Sequence, residues 1–129
     1  MINNVPQTPR VLVIDGDRFY ADILQNRLGG SGFEVRVATT GECGIEQAQD
    51  WLPDMILLAI KLPKADGFQI LEDLKTTKHV RKIPVAMLTE LGSREDVCHC
   101  FDHGATQYFI KAHNMPEDIA EHLRLVFSA

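Results

Sequence analysis

Five times between Arg10 and Phe127, a short aliphatic or β-branched run is followed by a stretch with apolar residues at helical spacing. That alternation constrains the fold more than any other feature of the chain. The runs are Val11–Ile14, Phe33–Ala38, Met55–Leu58, Pro84–Leu88 and Tyr108–Ile110. Three of them are almost continuously apolar, the pattern of strands covered on both faces. Between the runs, Phe19, Ile23, Leu24 and Leu28 share one side of a first helix that Gly29-Gly30 are expected to end. Ile45 and Ala48, with Trp51 as a further candidate, make the stripe of a second helix, and Phe68, Leu71 and Leu74 that of a third. Ser93–Asp96 reads as a capping box opening a fourth, which closes at Gly104. Asn114 and Pro116 begin a fifth, running to about Phe127. Strand–helix alternation of this kind implies right-handed crossovers and a parallel sheet. Five units are too few to close an eight-stranded barrel. The expected fold is therefore α/β, an open doubly wound five-stranded parallel sheet in the order 2-1-3-4-5. Its ligand crevice falls at the switch point, beyond the ends of strands 1 and 3, where Asp15–Asp17 and Ala59–Lys61 lie.

With 129 residues, the chain has the size of one domain. Residues 1–9, with Pro6 and Pro9, read as a flexible lead-in and 10–129 as the domain. A net charge of −5 argues against non-specific nucleic-acid binding, which needs cations to neutralise phosphates. No apolar run nears the ~20 residues that cross a bilayer, and the first residues lack the apolar core of a secretory signal. Three cysteines without framework spacing fit reduced thiols in the cytoplasm.

Four stretches then line up in order: VLVIDGD (11–17), PDMILLAIKLPKADGF (53–68), IPVAMLTE (83–90) and GATQYFIKA (104–112). Together they resemble the receiver domains of two-component response regulators, over almost the whole chain. The resemblance implies a flavodoxin-like (βα)5 receiver fold. It also implies an acidic cluster that holds Mg²⁺, an Asp that takes a phosphoryl group, a hydroxyl residue and a lysine. Such a set suits the chemistry, because charge on a transferring phosphoryl is stabilised by a metal, an ammonium and a hydroxyl. Carried over by position, Asp15 matches the first acid, Thr89 the hydroxyl, Lys111 the ammonium and Tyr108 the switch aromatic.

The rest departs from the pattern. Ala59 stands where the phosphoacceptor is expected, and a methyl group cannot attack phosphorus. Gly16 replaces an acidic metal ligand. Asp17 could substitute as a ligand, but its place before the first helix favours an N-cap. Mg²⁺ takes six oxygens in a tight octahedron, so Asp15 and Asp17 are weak metal candidates and no cofactor is expected. Lys61 is a candidate to reach Asp15 or Asp17 and fill the cation site, the alternative being a solvated loop lysine. Glu90 would repel a phosphoryl group and could pair with Lys61 or Lys111. Ala112 replaces the proline usual after the lysine, which disfavours a cis peptide there. An engineered change at 59 would not account for Gly16, Glu90 and Ala112, so natural divergence is the better reading.

Other motifs carry less. His99 and His103 are four apart on the fourth helix, near Cys98, Cys100 and Asp102, but the two thiols point to different sides, and a polar face is expected rather than a metal site. Asp54 and Asp66 read as structural, Trp51 as packed over a helix end, and KTTKHVRK (75–82) as a solvated loop.

The functional expectation is a pseudo-receiver, not an enzyme: a phosphorylation-independent module for protein recognition in signal transduction. Its partner or homodimer surface is the fourth helix, fifth strand and fifth helix, about 94–127, with no membrane contact and no direct nucleic-acid binding. The alternatives are a phosphorelay receiver using Asp15 or Asp17 as a displaced acceptor, and a small-ligand sensor.

Overall fold

The central strands explain the architecture. In β1 (Arg10–Ile14), Leu12 and Ile14 enter one apolar layer while Val11 and Val13 enter the other. In β3 (Met55–Ala59), Ile56 and Leu58 face the first layer, and Met55, Leu57 and Ala59 the second. Period-two alternation of apolar side chains on both faces needs helices on both faces. The computed structural model describes residues 8–90, 102, 104–111 and 114–128. Among them, β2 (Glu34–Ala38), β1, β3, β6 (Val85–Thr89) and β7 (Gln107–Ile110) form one sheet in that order, every pairing parallel. This is the expected doubly wound α/β sheet. A two-residue-arm hairpin, β4 (Lys61–Leu62) with β5 (Ala65–Asp66), follows β3 directly.

Helices α2 (Gly41–Trp51) and α3 (Gly67–Thr76) cover one face, with Ala48, Leu71 and Leu74 buried. Helix α1 (Arg18–Gly30) and the C-terminal helix (Pro116–Ser128) cover the other with Ala21, Leu24, Leu28, Ile119 and Leu123. Pro116 occupies the first turn of that last helix, and the Met115 N–H donates to Asp118 Oδ2 at 3.1 Å.

Two expectations about α1 are corrected. Phe19 is 78% exposed, and the inward stripe is Ala21, Leu24 and Leu28, with Ile23 half-buried. Gly29 and Gly30 stay inside the helix, because glycine takes helical angles as well as others. The turn falls instead at Gly32, with φ of 97°, where the N–H groups of Ser31 and Phe33 donate to Leu28 O. Strand limits also move. The second strand starts at Glu34, the fourth sheet strand runs Val85–Thr89, and the third extends through Ala59, so Thr89 and Ala59 end their strands. Trp51 is buried over the end of α2, with the Arg10 and Arg36 guanidinium carbons 5.6 and 4.7 Å from its ring centroid. The readings at Ser93–Asp96, Cys98, His99, Cys100, His103 and Ala112, and most of the lead-in, lie outside the described residues.

Candidate functional site

At the C-terminal edge of the sheet, four strand ends bring together what the sequence separates by up to about a hundred residues. The Asp15 N–H donates to Ala38 O at 3.0 Å, which fixes the exit of β1 against β2. Ala59 lies opposite Leu88, and the Lys111 N–H donates to Thr89 O at 2.7 Å, which joins the ends of β6 and β7. Asp15, Asp17, Ala59, Lys61, Thr89, Glu90 and Lys111 all line one cleft of about 210 Å³, together with Ile60 and Leu88. Gly16, expected in the same pocket, is not among the lining residues and lies against Pro63 instead. Tyr108 is half-buried on β7, against the layer that α2 and α3 cover.

The charges inside are already committed. Lys111 Nζ lies 2.7 Å from Asp15 Oδ2, with the two side chains 13% and 2% exposed. Asp15 Oδ1 accepts the Asp17 N–H at 2.9 Å. Asp17 Oδ1 in turn accepts the Tyr20 N–H at 3.1 Å as the N-cap of α1. Lys61 and Glu90 are both exposed, and neither makes an ion pair among the described residues. The cation beside Asp15 is thus Lys111 and not Lys61. Asp54 is also spoken for, accepting the Arg10 N–H at 2.8 Å, and Asp66 caps α3 through the Phe68 N–H at 2.9 Å.

Tyr20 belongs to this group, although nothing in the sequence motifs singles it out. Lys111 Nζ sits 4.3 Å from the centroid of its ring, so the ammonium has a carboxylate on one side and a π-face on another. Burial, reinforced by the negative charges of Asp15 and Asp17, pushes the Tyr20 phenol up to about 12. The available signal lies one residue away: with Phe19 pointing out, Tyr20 turns toward the sheet edge.

As a metal site the group is poorly matched. Octahedral Mg²⁺ usually draws on one or two carboxylates plus phosphate and water oxygens. Here Gly16 and Ala59 offer no side-chain oxygen, Asp15 is ion-paired, and Asp17 caps a helix. No cluster of three His, Cys, Asp or Glu residues suited to a metal occurs among the described residues. As a covalent site it lacks a nucleophile at the end of β3. What remains is a narrow, half-apolar cleft with a buried ion pair on its floor. A wider groove of about 630 Å³ runs between α1 and the C-terminal helix, where Arg27 and Glu117 pair at 3.0 Å. It lies away from the strand ends and brings no reactive group together.

Among the described residues no helix is long and apolar enough to cross a membrane. In sequence, the chain is 38% identical over 112 residues to the DNA-binding dual master transcriptional regulator RpaA of Synechocystis, covering 87% of this chain and 46% of that protein. It is 32% identical over 102 residues to the alkaline phosphatase synthesis transcriptional regulatory protein PhoP of Bacillus subtilis, covering 79% of this chain and 42% of the relative. The chain thus spans less than half the length of either. In structure it is similar to the chemotaxis protein CheY4 of Vibrio cholerae, with a TM-score of 0.85, 26% identity, and 92% and 98% of the two chains covered. A CheY-like receiver protein of Methanospirillum hungatei superposes with a TM-score of 0.83 at 26% identity, covering 94% of each chain. The response regulator receiver domain family is matched over residues 11–124. With that match, the parallel sheet, and Asp15, Thr89 and Lys111 gathered at one edge of it, the chain belongs to the response regulator receiver domain family.

Proposed function

We propose that this receiver domain signals by recognition alone, without taking up a phosphoryl group and without Mg²⁺. The observation that carries the reading is Ala59 at the end of β3, in the position from which a receiver's acceptor carboxylate would attack. A receiver is a signalling module whose two conformations are weighted by whatever binds or modifies it. Here the weighting falls to interactions built into the chain: Lys111 is held by Asp15 and Tyr20, its ammonium giving Asp15 the positive charge that a metal ion would otherwise bring. The relay alternative is disfavoured because Asp15 is buried in an ion pair with Lys111 and Asp17 is occupied as the cap of α1. The partner, a protein or a second copy, binds the 94–127 face in this reading.

The test is incubation of the protein with acetyl phosphate and Mg²⁺, followed by intact-mass measurement and amide NMR. The expected outcome is no phosphoryl mass gain and no shift at Thr89, Tyr108 or Lys111. A phosphorylated species mapped to Asp15 or Asp17 overturns the proposal.

A further inference from the structure

The loss of an acid at position 16 has a steric side as well as a chemical one. A Cβ placed on Gly16 would lie 2.5 Å from Pro63 Cδ and 2.9 Å from Cγ, far inside any real contact. Gly16 does not need its freedom for an unusual angle, since it is absent from the positive-φ residues. A proline ring lies where its side chain would be. Pro63 is no loose side chain that could swing aside. It occupies the turn of the β4–β5 hairpin beside Lys64, whose φ is 58°. The hairpin's base is closed by the Gly67 N–H donating to Ile60 O at 2.7 Å, and Ile60 N–H donates in turn to Leu88 O at 3.0 Å. Gly67 is packed against the backbone of Ala59 and Ile60 so closely that a Cβ there has no room. The hairpin is therefore anchored at its base, where Lys61, opposite Asp66, lines the cleft.

We infer that Gly16 is the seat of a strap: with no side chain at 16, Pro63 settles onto the exit of β1 and holds down the β4–β5 hairpin, whose first residue, Lys61, lines the cleft. A residue with a Cβ at 16 lifts the strap by about an ångström, the gap between 2.5 Å and ordinary van der Waals contact. The missing acid thus does two things at once, removing a ligand and lowering the rim. This adds to the phosphorylation-independent reading of the same cleft, but its test uses no phosphodonor, so either can fail while the other stands.

The test is a double-mutant cycle on the full chain: Gly16→Ala, Pro63→Ala and both together. Each variant is measured by urea unfolding and by amide exchange at Gly67, whose N–H closes the hairpin. With Pro63 present, Gly16→Ala is expected to lower the folding equilibrium constant on the order of ten- to a hundredfold, as overpacking does, and to speed Gly67 exchange. In the Pro63→Ala background, the same change is expected to be neutral or up to roughly fivefold favourable, because alanine restricts the unfolded chain. If Gly16→Ala alone fails to fold, the double variant is expected to fold. Equal losses in both backgrounds, or a double variant that also fails to fold, would overturn the inference.

Discussion

Two groups of carboxylate, cation and aromatic ring sit at opposite ends of the parallel sheet. At the C-terminal edge are Asp15, Lys111 and Tyr20; at the N-terminal edge are Glu34, Arg10 and Trp51. The ingredients are the same and the settings are not. Lys111 and Asp15 approach to 2.7 Å almost out of solvent, whereas Arg10 Nε and Glu34 are 3.9 Å apart with side chains 47% and 53% exposed. Trp51 is the buried member of the outer group, and Arg10 also donates to Trp51 O at 3.1 Å, so the guanidinium mostly serves packing. In the inner group the charges themselves are the structure. Burial, rather than the identity of the groups, decides which pair the fold depends on.

The sharpest way to break this comparison is to remove one cation. Lys111→Met leaves the Asp15 carboxylate buried without a counter-ion, and a loss of about 3–5 kcal/mol is expected in urea denaturation. A loss equal to that of an exposed-pair variant would erase the distinction. A smaller effect appears against pH. The fold holds the Tyr20 phenol protonated up to about 12, above its ordinary 10.0. Since the unfolded chain releases that proton first, the contribution is complete below pH 10 and disappears as pH rises toward 12. Wild type should therefore lose stability relative to Tyr20→Phe across that window. At neutral pH the two should differ by less than about 1 kcal/mol, because the buried hydroxyl has no hydrogen-bond partner among the described residues. The least effect is expected from Glu34→Gln, below about 1 kcal/mol and fading with added salt.

How legible the molecule is in its sequence differs between the sheet and the cleft. The three central strands can be read because strands covered on both sides are apolar almost throughout, and their shortness, with helical spacing between them, tells them from buried helices. Asp15, Thr89 and Lys111 can be read because each is the polar residue that ends an apolar run, and parallel strands end on one side. Phase along α1 cannot be fixed in the same way: Phe19, Tyr20, Ile23 and Leu24 allow two neighbouring stripes, and only the packing of Ala21 and Leu24 against the sheet selects one. The end of α1 is misread because two adjacent glycines suggest a stop that only the geometry at Gly32 provides. The contact between Gly16 and Pro63 joins positions 47 residues apart and depends on how deeply the hairpin settles, which no local pattern encodes.

Ala59 is only 3% exposed, walled into the apolar layer beneath α1. An aspartate placed there would set a second carboxylate near Asp15, which already holds Lys111, while Gly16 adds no oxygen for a metal ion that would neutralise the two. A carboxylate at position 59 would therefore bring a nucleophile without the charge surroundings that let one react.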